Sequence, residues 1–199
     1  MLRRRKPLKI LIEVIPMQNE QSLRETMKTH EEIYDGRVLH VFKDDVELPN
    51  GQTGLREYVR HIGAAAVLPI TEAGEVLLVK QFRYPFDKTL LEIPAGKRDS
   101  FTENPLDTAM RELKEETGAT CHNLIPLGEY YSSPAILDEV IWMYLAKDLT
   151  MTEQSLDEDE FVEIVRMPFA DLLGMVERNE IRDGKTQAAV LKAARILGY

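Results

Sequence analysis

Short apolar runs separated by turn residues predict β-strands over most of the chain. The runs "IGAAAVLPI" and "EVLLVKQFRY" flank the turn-forming "TEAG", so we expect two buried strands joined by a tight turn. The dipeptide Asn50-Gly51 lies between two earlier β-rich runs and is a strong signal for a hairpin. Three further segments are expected to be strands: "LIPLGEYYSS", "DEVIWMYLAKD" and "DEFVEIVRMP".

The last part of the chain has a helical pattern instead. In "GKTQAAVLKAARILGY", the apolar residues Val190, Ala193 and Leu197 recur at helical spacing, and "FADLLGMVERNEI" has a similar pattern. Strands interspersed with a few helices predict an α+β fold, here a mixed α/β/α sandwich.

The expected organisation has three parts. Residues 1–28 are an N-terminal extension, residues 29–57 a small N-terminal β-sheet unit, and residues 58–199 the main domain. The start "MLRRRKPLKILIEVIP" resembles the front of a signal peptide, but charged residues interrupt its apolar stretch. A basic tail or an ordered extension is therefore the better interpretation of this segment.

One helix in the middle of the chain has clear boundary signals. Asn104 can cap it, Pro105 suits the first helical position, and Asp107 adds negative charge to the first turn. Gly118 can end it in the left-handed conformation. We therefore expect a helix over residues 105–117.

This helix carries three glutamates on one patch of its surface. Its core-facing stripe is predicted to be Leu106, Ala109, Met110 and Leu113. Glu112, Glu115 and Glu116 fall within about 100° of each other beside that stripe. The neighbouring glutamates repel each other by roughly 0.2–0.5 kcal/mol per pair, which Arg111 offsets in part because it lies four residues before Glu115.

Two interpretations of the acidic patch are open. One is a solvated helix face, which is the default for such a pattern. The other is a site for a hard divalent cation, because a strand-like run, a turn at Gly96 and a carboxylate at Glu103 immediately precede the helix. Magnesium prefers oxygen ligands and commonly bridges carboxylates to substrate phosphates.

Composition and charge narrow the classes of partner. The net charge of −9 makes nucleic acid and anionic membranes poor candidates, and no apolar run approaches the roughly 18 residues of a spanning helix. The single cysteine, Cys121, precludes an internal disulfide and fits a reducing, cytoplasmic environment. The four histidines lie far apart without zinc-type spacing.

The region from Gly96 to Ala119 resembles the Nudix signature. The spacing from Glu103 to Arg111 and the run "RELKEETGA" match that family's pattern. Six residues separate Gly96 from Glu103 where the family has five, so we infer a one-residue insertion that leaves the placement of Glu103 open. Nudix enzymes hydrolyse a nucleoside diphosphate linked to another group.

The flanking segments resemble the ADP-ribose pyrophosphatase branch of this family. "EIPAGK" and "VKQFRYP" are typical of it, as is a proline sixteen residues after the motif glycine, here Pro134. Pro134 lies in "SSPAILDE", where Ala135 takes the place of the usual glycine. The resemblance covers roughly residues 31–199, so the main domain is expected to be a Nudix hydrolase domain.

The resemblance also implies the site residues. Glu112, Glu115 and Glu116, with the carbonyl of Ala95, would hold Mg²⁺ or Mn²⁺, and Arg111 would orient the helix glutamates. A glutamate on a late loop serves this branch as general base, and Glu160 is the best match, with Glu158 second. Both lie in an acidic run for which a solvated loop is the default interpretation.

Three further residues are candidates for substrate binding. Arg83 could grip a phosphate oxygen with its planar fork, or it could form a structural ion pair with Glu92. Glu139 could bind substrate or a further metal, or it could be a charge at a strand edge. Pro134 could be a marker of specificity, or it could only shape a turn.

The implied reaction is hydrolysis of ADP-ribose to AMP and ribose 5-phosphate. Three alternatives stay open: another nucleoside diphosphate sugar such as GDP-mannose, or a dinucleotide, as substrate; a Nudix-fold sensor that binds ADP-ribose without cutting it; and a structural protein with an acidic helix. The resemblance further implies a homodimer in which the N-terminal β unit exchanges with a second copy.

Overall fold

The computed structural model describes residues 22–156 and 160–199, and its first four strands form a sheet of their own. These strands are β1 (Thr26–Met27), β2 (Glu31–Asp35), β3 (His40–Glu47) and β4 (Thr53–Arg60). β3 is central: β4 pairs along one edge, while β1 and β2 pair with successive parts of the other. The predicted hairpin is confirmed, with Gly51 at φ +79° in the turn between β3 and β4.

The remaining elements build a layered domain. In chain order the strands are β5 (Ala64–Pro69), β6 (Glu75–Arg83), β7 (Lys88–Glu92), β8 (Ala95–Lys97), β9 (Ala119–Thr120), β10 (Leu124–Tyr131), β11 (Val140–Ala146), β12 (Thr150–Met151) and β13 (Val162–Pro168). The helices are α1 (Pro105–Thr117), α2 (Phe169–Glu177) and α3 (Gly184–Leu197).

A mixed sheet in the order β10-β11-β5-β8 lies at the centre of this domain, and only its β11–β5 pair is parallel. Successive side chains of β5 alternate between two apolar clusters. Ala66 and Leu68 pack with residues of α2 and α3, whereas Ala65 and Val67 pack with residues of α1. Helices therefore cover both faces of the sheet, as expected for an α/β/α sandwich.

A second sheet has the strand order β13-β6-β7, and residues of its β6–β7 hairpin line a cleft. β6 and β7 form an antiparallel hairpin joined by a short 3₁₀ turn over Tyr84–Phe86, which places Arg83 at the end of β6. The expected turn between β5 and β6 is present, with Gly74 at φ +77°. The strands and the two C-terminal helices predicted from the sequence are confirmed.

The signals at the ends of α1 are confirmed residue by residue. The Asn104 side chain accepts a hydrogen bond from Leu106 N, Pro105 opens the helix, and Gly118 ends it at φ +69°. Ala109 and Leu113 of the predicted stripe are fully buried, but Leu106 is exposed. Leu106 lies in the first turn, one residue after Pro105, and does not reach the sheet.

Residues 29–57 were expected to form the N-terminal unit, and β4 continues three residues beyond that range to Arg60. Residues 1–21, most of the expected extension, lie outside the described chain, while Thr26–Met27 pair with β3. Within residues 22–156 and 160–199, no helix combines the length and the apolar character needed to cross a membrane.

Candidate active site

A cleft of ≈ 740 Å³ opens between the β6–β7 hairpin, the segment around β8 and the start of α3. The charged side chains that line it come from elements distant in sequence. They include Arg83, Glu92, Glu116, Glu139, Glu160 and Lys185. A cleft of this volume is large enough for a small organic ligand.

The helix glutamates are less exposed than a solvated acidic face would be. Glu112 is 7% exposed and Glu116 only 3%, while Glu115 is partly exposed. Burial raises the pKa of Glu112 to about 7 and that of Glu116 to about 8, and neighbouring glutamates contribute to both shifts. A buried carboxylate with a raised pKa is stabilised by an added positive charge.

Arg111 supplies part of that charge from the side of the helix. Its Nη1 donates to Glu112 Oε1 at 2.7 Å and to Glu115 Oε2 at 2.9 Å, and its Nη2 donates to the carbonyl of Lys97 at 3.0 Å. Arg111 thus ties two of the three glutamates to the strand that precedes the helix, which agrees with the orienting role that the resemblance implies.

The oxygen ligands around Gly96 suit a divalent cation. A β-carbon at position 96 would overlap the carboxylate of Glu112, so only glycine lets the backbone of β8 approach this oxygen. In the present arrangement Arg111 donates to Glu112 and Glu115. Ala95 N donates to Glu116 Oε2 at 2.8 Å. Among residues 22–156 and 160–199, no three acidic, histidine or cysteine side chains converge as ligands of one ion. Binding of one ion by three of these side chains would therefore require some of them to change their present arrangement.

Arg98 makes several hydrogen bonds that hold the loop before α1. Arg98 donates to the carbonyls of Phe101, Glu103 and Ile62, at distances of 2.6 to 3.2 Å. The Glu103 carboxylate turns back onto this loop, where it accepts from Asp99 N at 2.5 Å, and it is absent from the lining of the cleft. Arg111 Nε lies 3.8 Å from Glu103 Oε1.

Of the two candidate general bases, Glu160 lines the cleft with Glu116. Its charge contributes to the raised pKa of both Glu112 and Glu116, so Glu160 lies near these helix glutamates. The second candidate, Glu158, lies outside the described residues.

Arg83 and Glu92 form a bidentate ion pair in the lining of the cleft. Arg83 Nε donates to Glu92 Oε1 at 2.7 Å and Nη2 donates to Oε2 at 2.8 Å. The Arg83 side chain is nevertheless 39% exposed and lines the cleft. The ion pair with Glu92 and a role in substrate binding are therefore compatible for Arg83 and do not exclude each other.

Glu139 lines the cleft, whereas Pro134 does not. The Glu139 carboxylate accepts from Ser132 Oγ at 2.5 Å and lies 3.5 Å from His61 Nδ1. Pro134 lies within a turn in which Ser133 O accepts from Ile136 N and Leu137 N. Pro134 thus lies in the turn that precedes Glu139.

Sequence reasoning missed Asp183 and Lys185, which bring the start of α3 into the cleft. Lys185 is 8% exposed and contacts both Glu92 and Asp183. Only the capping position of Asp183 before "GKTQAAVLKAARILGY" could have drawn attention to this segment.

Family models match nearly all of the described chain. The model for the NUDIX domain matches residues 59–190, and the model for the nucleoside diphosphate sugar hydrolase N-terminal domain matches residues 28–59. The chain belongs to the Nudix family. The family suspected from the glutamate helix is thereby confirmed, and so is the fold.

Several curated Nudix relatives cover most of the chain. An "ADP-ribose pyrophosphatase" of Bacillus subtilis (strain 168) is 45% identical over 172 residues, covering 85% of this chain and 92% of the relative. A "Methanol dehydrogenase activator" of Bacillus methanolicus is 46% identical, covering 83% and 89%. A "GDP-mannose pyrophosphatase" of Yersinia enterocolitica is 36% identical, covering 80% and 88%.

A solved structure has the same fold. The crystal structure of an ADP compounds hydrolase superposes with a TM-score of 0.77, covering 88% of this Nudix chain and 95% of the other. Its sequence identity is 23%, so the match concerns the arrangement of helices and strands.

Proposed function

We propose that this Nudix protein hydrolyses the diphosphate bond of a nucleoside diphosphate sugar, with ADP-ribose as the first candidate and AMP and ribose 5-phosphate as products. The observation that carries the proposal is a cleft lined by both the buried carboxylate of Glu116 and the fork of Arg83, with the buried carboxylate of Glu112 next to Glu116. Relatives named for ADP-ribose and for GDP-mannose support the substrate class.

Glu112, Glu115 and Glu116, with the Ala95 carbonyl, would hold divalent cations, with Mg²⁺ expected first and Mn²⁺ second. A bound cation supplies positive charge to a diphosphate and makes a water molecule more acidic. Arg111 holds Glu112 and Glu115 in place.

The remaining steps fall to other side chains. Glu160 would accept the proton of the attacking water, with Glu158 as the second candidate, because a carboxylate facing the site can act as general base. Arg83 would contact the diphosphate and Glu139 another polar group of the substrate. Pro134 would act only through the shape of its loop.

A substrate panel tests this proposal. Purified protein is assayed with ADP-ribose, GDP-mannose and a dinucleotide such as NAD⁺, each with Mg²⁺, with Mn²⁺ and with EDTA, and kcat/KM is compared. We expect hydrolysis only with a metal and the highest kcat/KM with ADP-ribose. A higher value with GDP-mannose would reassign the substrate, and no product from any of the three would overturn the proposal.

A regulatory role is the second candidate, because a relative at 46% identity bears the name of a dehydrogenase activator. A sensor would bind ADP-ribose without cutting it. The acidic helix argues for cutting, because a pure binder has no need to keep repelling carboxylates together. Measuring product formation with Mg²⁺ and binding in EDTA separates the two roles. An enzyme forms product from ADP-ribose, whereas a sensor binds it and forms none.

The N-terminal sheet supports a homodimer. Several of its large apolar side chains are exposed, among them Ile33 in β2, Leu55 in β4 and Leu39 in the turn before β3, each about half exposed. Exposed apolar side chains gathered on a small sheet are typical of an interface. We propose that a second copy covers them and that the dimer acts in the cytoplasm on a small molecule, with no nucleic acid or membrane as partner.

A further inference from the structure

The start of α3 and the end of β7 meet in a buried cluster of four charges at the wall of the cleft. Glu92 is 1% exposed and Lys185 8%, and Lys185 Nζ donates to the carboxylates of both Glu92 and Asp183. Arg83 completes the cluster through its two hydrogen bonds to Glu92. Two cations and two anions balance, so the cluster adds no net charge to the cleft.

We propose that Lys185 is a positioning residue for substrate binding, acting on Arg83 through Glu92. This inference rests on the proposed function, because it assigns Arg83 to the diphosphate. Lys185 lines the cleft but is only 8% exposed, and its ammonium group is held by Glu92 and Asp183. Arg83 is the member of the cluster that reaches solvent.

The geometry explains how the cluster prepares Arg83. Glu92 engages Nε and Nη2 of the guanidinium, while Nη1 has no hydrogen-bond acceptor among the described residues. An arginine gripped on one edge keeps its other edge in a fixed direction, and a fixed fork loses less entropy on binding a phosphate. Glu92 can hold Arg83 in this way only while it is itself held.

Lys185 and the first turn of α3 hold Glu92 from behind. Asp183 caps the helix by accepting from Thr186 N at 2.9 Å, and Thr186 Oγ1 accepts from Ile93 N at 2.9 Å. The residue after Glu92 is thus fixed to the same helical turn as Lys185. Burial raises the pKa of Glu92, but Arg83 and Lys185 together lower it to about 2, so the carboxylate stays charged.

Loss of Lys185 would leave Glu92 and Asp183 facing Arg83 alone. The cluster would then carry one net negative charge next to an anionic substrate, and Glu92 would have lost its second cation. A buried carboxylate that loses a partner moves or takes up a proton. In either case the grip on Arg83 changes, while the hydrogen bonds from Arg111 to Glu112 and from Ala95 N to Glu116 do not involve Lys185.

The test is a double-mutant cycle between Lys185→Met and Arg83→Met, with kinetics on ADP-ribose and Mg²⁺. In the wild-type background Lys185→Met should raise KM by about tenfold or more and change kcat by less than about threefold, because it removes binding rather than chemistry. In the Arg83→Met background the same substitution should change KM by less than about threefold, because interacting residues are not additive.

The equilibrium affinity gives a readout without turnover. In EDTA, calorimetric titration with ADP-ribose should show the same loss of affinity for Lys185→Met and the same absence of a further loss in Arg83→Met. Lys192→Met is the matched control, since Lys192 lies on the same helix, donates to Leu127 O at 2.7 Å and lies outside the cleft lining. It should leave KM unchanged.

Two results would overturn the inference. One is an equal rise in KM from Lys185→Met in both backgrounds, which indicates a general charge effect. The other is a fall in kcat with KM unchanged, which indicates that Lys185 acts on the proposed metal site through the segment around Ala95 and not on substrate binding. If Lys185→Met does not fold, Glu92→Gln takes its place in the cycle, because Glu92 contacts Arg83 directly. Glu92→Gln must then raise KM in the wild-type background and leave it nearly unchanged in the Arg83→Met background. A wild-type protein that cuts no substrate refutes the proposed function instead.

Discussion

Gly96 and Glu112 lie so close that a β-carbon on residue 96 would overlap the glutamate carboxylate. Gly96→Ala should therefore displace Glu112 and weaken metal binding by about tenfold to a hundredfold, the range found when the surroundings of metal ligands are disturbed. The measurement is activity against Mg²⁺ concentration. Gly54→Ala is the control, because its β-carbon would meet only the flexible side chain of Leu48. Equal metal dependence in both variants would contradict the assigned ligands.

Glu116→Gln should lower kcat by about a thousandfold or more, because the amide replaces a proposed metal ligand. The fold should persist, since the amide oxygen can still accept from Ala95 N. Circular dichroism and thermal unfolding check the fold. Glu177→Gln, an exposed glutamate of α2, should retain wild-type turnover. Wild-type rates in Glu116→Gln would remove this residue from the metal site.

Metal binding should release protons near neutral pH. The raised pKa values of Glu112 (about 7) and Glu116 (about 8) mean that the metal-free protein holds protons there, which a cation must displace. Calorimetry of Mg²⁺ binding at pH 7 in buffers of different ionisation enthalpy measures this release. Heats that are independent of the buffer would contradict the prediction.

The same shifts predict how the stability of the metal-free protein depends on pH. Because both folded-state pKa values exceed the unfolded value of 4.5, their stabilising contribution is fully present below pH 4.5 and is lost as the pH rises through 7 to 8. Urea unfolding in EDTA from pH 5 to pH 8.5 should show this loss in the wild type. The double variant Glu112→Gln/Glu116→Gln should show less of it.

Glu92 should have the opposite dependence on pH. Its folded-state pKa of about 2 lies below the unfolded value of 4.5, so its contribution is present above pH 4.5 and is lost as the pH falls towards 2. Glu92→Gln should lower the free energy of unfolding at pH 7 by about 3 kcal/mol, because it leaves two cations without their shared partner. The difference from wild type should shrink at pH 3, and a constant difference would contradict the ion-pair explanation.

A homodimer should be detected by light scattering at about twice the 22.8 kDa of one chain. Ile33→Ser combined with Leu55→Ser should favour the monomer, because both apolar side chains are exposed on strands of the N-terminal sheet. Ile196→Ser on α3 is the control, since Ile196 is similarly exposed but belongs to another surface. A wild-type monomer would refute the proposed exchange.

Features that depend on local signals are the ones the sequence predicts in most detail. Asn104, Pro105 and Gly118 act on their own backbone, so the ends of α1 could be read residue by residue. The proximity of the three glutamates also follows from helical geometry alone. Their burial does not, because it depends on β8 approaching the helix at Gly96, a contact between separate elements.

The wall formed by α3 could not be predicted. Lys185 meets Glu92 across 93 positions of sequence, and neither residue has a local pattern that identifies its partner. The pair of Arg83 and Glu92 is predictable from the sequence, because the two residues are only nine positions apart. The position of Glu103 was left open, because an insertion fixes loop length but not which carbonyls Arg98 will contact.

The hydrogen bond between Thr186 and Ile93 has a consequence for biosynthesis. During translation the glutamate helix leaves the ribosome well before α3, so the wall that contains Glu92 is completed only when the final segment of the chain is released. A chain that stops before residue 183 would therefore keep every proposed metal ligand and still lack a finished cleft. Premature termination late in the gene should yield protein that is inactive although its signature motif is intact.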